Sequence, residues 1–196
     1  MVIKALDHDF QAEEKLTPFG IFLPDLDELY LYFAASRLTS DFIADCLEDF
    51  WSTARHRFPQ ITTLLINQDN GPENHSRRTQ FMQRITHFAD QFQIQIDLAY
   101  YPPYHSKYNP IERVWGVLEQ HWNGSLLDSR DTVLRFASTM TWNGQSPVIK
   151  HIDRFYPTGV RLTQKEMAIL EKRLDRLPSL PKWFVHIAPI PLSGFG

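Results

Sequence analysis

The order in which strand-like and helix-like segments follow one another most limits the folds open to this 196-residue chain. Residues 16–23 and 28–33 are β-rich runs, and the four residues between them predict a hairpin connection. Residues 39–56 then change to the period of a helix, which Thr39 or Ser40 can cap. The first part of the chain therefore predicts a hairpin followed by a helix.

The next segments alternate between short strands and helices. Residues 61–67 are a nearly continuous apolar run after Pro59, which favours a central strand buried on both faces. Helical spacing returns in residues 77–92, and residues 94–100 alternate as a strand does. Strands that alternate with helices predict an α/β sheet, antiparallel at the hairpin and parallel elsewhere.

Two more helices complete the predicted core. One spans residues 110–122 and ends at the Asn123-Gly124 pair, and another begins at Asp128 or Ser129. We therefore expect residues 1–146 to form one α/β core. Residues 147–196 form a second region, with a capped helix in residues 163–177 and a Pro-rich strap on the surface in residues 178–196.

Composition and charge narrow the classes of protein. The net charge of −3 argues against a chain that coats nucleic acid through bulk positive charge. Local basic groups remain, at Arg77, Arg78 and Arg84 and within residues 161–182, and each is either a solvated face or a contact with DNA. The one cysteine, Cys46, cannot form an internal disulfide, so we expect a cytoplasmic protein.

Asp69 follows the apolar run of residues 61–67 by two positions. Open α/β sheets carry functional groups beyond the carboxyl ends of their strands, which makes Asp69 a candidate metal ligand. The alternative is a structural role, because the sequence Asp-Asn-Gly-Pro forms turns readily.

Glu112 is the second candidate acid. With Asn109 as the N-cap and Pro110 as the first helical residue, Glu112 is the third helical residue, where a carboxylate can complete a capping box. This structural role is the alternative to metal binding. Glu119, two turns further along, is a second candidate on this helix. Carboxylates at the ends of rigid elements suit Mg²⁺ or Mn²⁺ and not zinc.

His105 is the candidate among the histidines, since it lies just upstream of Glu112 and could position a water or a phosphate. No pair of histidines has the helical spacing of metal ligands, which favours an ordinary loop histidine as the alternative.

Two long motifs resemble a known family. Residues 69–74 read Asp-Asn-Gly-Pro-Glu-Asn, and residues 101–116 contain Tyr-His-Ser-Lys-Tyr-Asn-Pro-Ile-Glu-Arg. They resemble DDE transposases of the Tc/mariner-like superfamily, in which an Asp-Asn turn supplies the second acid and an Asn-Pro-Ile-Glu helix start supplies the third. The fuller wording looks like the ISAzo-type insertion-sequence transposases, and the resemblance extends from about Asp7 through Trp183.

The resemblance implies a ribonuclease H-like fold, a mixed sheet flanked by helices. It implies two divalent metal ions, Mg²⁺ or Mn²⁺, that act in cleavage and strand transfer of DNA. By this carry-over Asp69 and Glu112 are metal ligands. Lys107 and Arg113, which flank Glu112, are candidate contacts to DNA phosphates, and His105 is a further candidate contact to DNA.

The sequence departs from the family at the first of the three acids. Members of the family resemble this chain from about Asp7 onward, and their first acid lies further upstream. We therefore expect a truncated member whose first strand is missing or very short, and which is inactive alone. Asp7 or Asp9 could replace the first acid if residues 2–6 form a short strand. The alternative is a non-catalytic remnant that binds DNA or associates with other subunits, for example as a homodimer.

Overall fold

The structure is a computed structural model, and it describes residues 16–102, 108–125, 127 and 129–192. Within these ranges the chain forms a mixed α/β fold with two mixed sheets and five α-helices, consistent with a ribonuclease H-like fold. The predicted order of hairpin, helix, strand, helix, strand, helix and helix is confirmed. No helix in these ranges is long and apolar enough to cross a membrane.

The first sheet, sheet A, has the strand order β1-β2-β5. β1 (Thr17–Leu23) and β2 (Glu28–Ala34) form the predicted antiparallel hairpin. Asp27 ends their connection in the left-handed region at φ 53°, which a short polar side chain tolerates. β5 (Val148–Ile152) lies parallel to β2, and the sequence patterns did not predict this strand.

The second sheet, sheet B, has the strand order β3-β4-β7-β6. β3 (Thr63–Gln68) and β4 (Gln95–Tyr100) are parallel, as the sequence predicts. β7 (Phe184–Ile187) pairs antiparallel with β4, and the short β6 (Asp175–Arg176) pairs antiparallel with β7. Sequence patterns therefore predicted two of these four strands.

β3 is an edge strand within the described sheet, so the prediction of a central strand buried on both faces was wrong. Leu64 and Ile66 pack against the core, whereas Leu65 on the opposite face is 59% exposed. Ile61, ahead of the strand, is 43% exposed. An apolar run shows which residues a strand can bury, but distant parts of the chain supply the elements that cover it.

α1 (Ser40–Ala54) and α2 (Thr79–Phe92) pack against each other and share one core with both sheets. Thr39 caps α1, as predicted, because its hydroxyl accepts a hydrogen bond from the Phe42 N–H at 3.2 Å. The core joins the two sheets through large buried side chains, among them Tyr32, Phe42, Phe81, Phe88, Ile96 and Leu98.

α3 (Pro110–Trp122) and α4 (Arg130–Thr139) cover the other face of sheet A. α3 lies so close to β1 that a Cβ at Gly20 would be 3.0 Å from Ile111 Cδ1 and from the Trp115 ring. A larger residue would push the helix away, so Gly20 determines how closely α3 rests on the sheet. The second core that results contains Leu29, Leu31, Phe33, Val114, Leu118, Ala137 and Met140.

α5 (Gln164–Glu171) is the predicted C-terminal helix, although it is shorter than residues 163–177. Thr163 and Glu166 form a capping box at its start, in which each side chain accepts a hydrogen bond from the backbone N–H of the other residue. The helix therefore begins where the sequence predicts it.

The prediction of a surface strap in residues 178–196 was wrong for β7. Val185 and Ile187 are fully buried and belong to the main core. The surface strap was predicted from the prolines in this segment, because a strand of four residues between turns is too short to show a clear period in the sequence. The expected boundary between residues 146 and 147 stays a prediction, and strands on its C-terminal side join both sheets.

Candidate metal centre

Asp69 lies at the carboxyl end of β3, and its side chain is exposed. The Tyr101 N–H donates a hydrogen bond to the Gln68 carbonyl at 2.9 Å, so the end of β3 is held beside the end of β4. Parallel strands bring their carboxyl ends to one edge of a sheet, where α/β proteins carry functional groups. Asp69 therefore occupies a position from which a carboxylate can bind a ligand.

Asn74 holds the Asp69 turn in place. Its Nδ2 donates to the backbone oxygen of Asp69 at 3.1 Å and to Gln68 Oε1 at 3.1 Å, and it lies 3.4 Å from Asp69 Oδ1. The Asn74 carbonyl accepts a hydrogen bond from the Tyr100 hydroxyl at 3.0 Å. Burial raises the pKa of Tyr100, so this hydroxyl stays protonated at neutral pH. The network makes Asn74 a positioning residue for Asp69.

Gly71 allows this close approach. A Cβ at Gly71 would lie 2.7 Å from Asn74 Oδ1 and 3.7 Å from Asp69 Oδ2. Any side chain at this position would therefore force the Asn74 amide to move. The run of residues 69–74 does not by itself predict this role for Asn74, because the contact depends on how the turn folds back.

We expect Asn74→Ala to lower the free energy of unfolding by about 1–3 kcal/mol, because the partly buried oxygens of Gln68 and Asp69 lose their donor. It should also weaken Mn²⁺ binding, since Asp69 is no longer held. Urea denaturation and a Mn²⁺ titration measure the two effects.

Two further variants control this prediction. Asn67→Ala changes an exposed side chain on β3 and should have little effect on either measurement. Gly71→Ala keeps every polar group and should still weaken Mn²⁺ binding, because its Cβ displaces Asn74. If Asn74→Ala behaves like Asn67→Ala in both measurements, Asn74 does not position Asp69.

Glu112 lies in the first turn of α3, and its carboxylate is exposed. The side chain of Asn109 makes no capping hydrogen bond, so the capping box that was the structural alternative for Glu112 does not form. The Glu112 N–H donates instead to the Asn109 carbonyl at 3.1 Å. The Glu112 carboxylate makes no hydrogen bond or ion pair with the described part of the chain, which leaves it free to bind a ligand.

The two acids project from different parts of the fold, because Asp69 ends a strand of sheet B and Glu112 starts a helix that rests on sheet A. Within the described residues, no three His, Cys, Asp or Glu side chains are grouped so that they could hold a metal ion. Arg113 is exposed and pairs with none of the described acids. The candidates that lie outside the described residues are Asp7, Asp9, His105 and Lys107.

The chemistry of Asp69 and Glu112 fits a divalent metal ion. Both offer exposed carboxylate oxygens, which are the hard donors that Mg²⁺ and Mn²⁺ prefer. Asp69 is also held by a hydrogen-bond network around it, as metal ligands commonly are. Glu119 is exposed on α3 as well and remains the alternative to Glu112.

The chain is similar to a known family of proteins. A family model described as the Rhodopirellula transposase DDE domain matches residues 2–189 of the 196-residue chain. No curated protein and no solved structure matches significantly. The matched range contains Asp69, Glu112 and every strand and helix described above.

Proposed function

We propose that this chain, which belongs to the Rhodopirellula transposase DDE domain family, functions in metal-dependent cleavage and joining of DNA strands in transposition. Membership of this family supports a role related to transposition, contact with DNA and the general use of divalent metal ions. The observation that carries the proposal is that Asp69 and Glu112 present exposed carboxylates from the ends of rigid elements.

In this proposal Asp69 and Glu112 hold Mg²⁺ or Mn²⁺, and Asn74 fixes the orientation of Asp69. A bound metal ion supplies activation of a water or a DNA 3′-hydroxyl and stabilisation of the leaving oxygen. The exposed guanidinium of Arg113 is placed one residue after Glu112, where it can contact a phosphate. His105 and Lys107 are proposed as further contacts to DNA.

We also propose that the 196-residue chain does not cleave DNA by itself. In this proposal Asp69 and Glu112 are two of the three carboxylates that the resemblance implies, and the described residues contain no group of three His, Cys, Asp or Glu side chains that could hold a metal ion. Asp7 and Asp9, which lie outside the described residues, are the acids that could supply the third carboxylate. The buried, free Cys46 fits the cytoplasm, which is the compartment we propose.

A strand-cleavage assay tests the proposal, with Mn²⁺ and a plasmid that carries the DNA flanking the gene. We expect the unaltered chain to cleave no more than Asp69→Asn does, because one ligand is lacking. Cleavage that disappears in Asp69→Asn and Glu112→Gln would contradict the inactivity and support the assigned site. Its further loss in Asp7→Asn or Asp9→Asn would identify the third acid. Cleavage that survives in both Asp69→Asn and Glu112→Gln would contradict the site.

The second candidate function is a non-catalytic module that associates through a sheet edge, for example as a homodimer. β1 and β3 each pair on one side only within the described residues, and Leu65 of β3 is exposed. Unpaired edges are surfaces to which another strand can add. Sedimentation over a range of concentrations separates the candidates, since an edge-mediated dimer should dissociate when Leu65→Lys places a charge there.

A further inference from the structure

Two clefts adjoin the turn that carries Asp69. The first has a volume of about 410 Å³ and the second about 420 Å³, and His75 and Arg77 line both. Asn70, the residue that follows Asp69, lines the first cleft. We name the two together the basic cleft, which is lined by Asn70, His75, Ser76, Arg77, Arg161 and Lys182.

The basic cleft contains cations that are not neutralised within the described chain. Arg77, Arg161 and Lys182 are exposed, and none of them pairs with a described acid. Glu73 and Arg78 also line the second cleft, but they form an ion pair with each other at 2.9 Å. The surface next to Asp69 therefore carries a net positive charge, although the whole chain has a net charge of −3.

Ser76 adds a hydroxyl group to the same cleft. The residue is 2% exposed, and its hydroxyl makes no hydrogen bond with any described residue. In the described part of the chain, the side-chain atoms that are buried without a partner are Gln68 Nε2 and His151 Nε2, so the Ser76 oxygen is not closed off from the cleft that it lines. An acceptor oxygen of a ligand in the cleft would satisfy the Ser76 hydroxyl.

His75 supplies a neutral donor. Burial and the neighbouring Arg77 and Arg78 lower the pKa of His75, so its imidazole is uncharged at neutral pH. The Nδ1 atom accepts a hydrogen bond from the Arg77 N–H at 3.2 Å, which places the ring proton on Nε2. The basic cleft thus combines unpaired cations with N–H and O–H donors.

We propose that the basic cleft binds the phosphodiester backbone of a DNA strand beside Asp69. Since Asn70 directly follows Asp69, a strand held at Asp69 would bring its neighbouring phosphates to the cleft. Charge-assisted donors such as Arg77 and Lys182 match the oxygens of phosphates, and such contacts fix the position of DNA without reading its sequence. This inference rests on the proposed function for the identity of DNA as the partner.

The test is a titration of the intact chain against fluorescently labelled duplex DNA at several salt concentrations without Mn²⁺. Arg77→Gln and Lys182→Gln should each weaken binding and reduce the slope of log affinity against log salt by about one. Lys172→Gln is the matched control, because it removes one positive charge from the end of α5, outside the basic cleft. If Arg77→Gln and Lys182→Gln bind DNA with the same affinity and salt dependence as Lys172→Gln, the proposal is overturned.

Ser76→Ala gives an independent readout. It should weaken binding by about threefold and leave the salt slope unchanged, because it removes a neutral donor. If Ser76→Ala binds DNA with unchanged affinity, Ser76 is not part of the site. If Arg77→Gln also binds DNA with unchanged affinity, the proposal for the basic cleft is overturned. Tighter binding of RNA than of DNA of the same sequence would overturn DNA as the partner.

A parallel Mn²⁺ titration keeps this proposal separate from the proposed function. If Asp69→Asn leaves Mn²⁺ binding unchanged but Arg77→Gln loses DNA binding, the metal site is contradicted and the basic cleft is supported. If Asp69→Asn loses Mn²⁺ binding but Arg77→Gln binds DNA normally, the basic cleft is contradicted and the metal site is supported.

Discussion

Asp69→Asn should lower the affinity of the chain for Mn²⁺ at least about tenfold, and Glu112→Gln should do the same. Each change keeps the size of the side chain but replaces a charged oxygen donor by a neutral amide. Both carboxylates are exposed, so neither change removes a described ion pair that supports the fold. Titration of free Mn²⁺ by electron paramagnetic resonance measures the loss.

The double variant shows whether the two acids act on the same ion. If Asp69 and Glu112 share it, the double variant should bind no Mn²⁺ beyond the weak residual level of either single variant, because each loss already removes the site. Glu119→Gln, on the same helix, is the control and should bind Mn²⁺ normally. Loss of binding in Glu119→Gln but not in Glu112→Gln would move the site to the alternative acid.

Arg84→Met should lower the free energy of unfolding by about 2–3 kcal/mol, the second large effect we expect. The Arg84 guanidinium bridges three acids of α1, at 2.8 Å to Asp41, 2.6 Å to Asp45 and 3.0 Å to Glu48. Its side chain is 20% exposed. Burial by itself would lower the pKa of the guanidinium, but the hydrogen bonds that it donates to the three carboxylates raise the pKa, so Arg84 stays charged. Without it the three carboxylates repel one another at the junction of α1 and α2.

Some of the loss is offset, which is why the expected value is below that of a fully buried pair. Asp45 keeps its ion pair with Arg154 at 2.7 Å, and Asp41 keeps a hydrogen bond from Gln80 at 2.9 Å. Arg37→Met, at an exposed arginine without a described acid partner, is the control and should cost less than about 0.5 kcal/mol in urea denaturation. Equal losses in the two variants would show that the cluster does not stabilise the helix pair.

The strands and helices with clear periods could be predicted from the sequence. β1 and β2 lie in β-rich runs and have seven residues each, and α2 repeats its buried side chains over fourteen. β7 has four residues, too few for a period, although its two buried side chains belong to the core. The exposure of Leu65 could not be predicted, because it depends on which strands pair with β3.

Asp69 and Glu112 could be found as candidates because each lies in a motif at one end of a predicted element, Asp69 after a strand and Glu112 at the start of a helix. Their surroundings could not be predicted in the same way. Asn74 acts through a turn that folds back on Asp69, and the basic cleft joins Arg77 to Lys182 from a distant part of the chain. Contacts between distant segments leave no local pattern in the sequence, so the structure was needed to find them.

Asp69 and Glu112 are proposed to bind the same divalent metal ion. Anomalous X-ray diffraction from crystals of the chain grown with Mn²⁺ would locate that ion. We expect a manganese peak within about 2.6 Å of a carboxylate oxygen of Asp69 and of one of Glu112. A manganese peak that contacts neither carboxylate, or no peak near them at saturating Mn²⁺, would contradict this proposal.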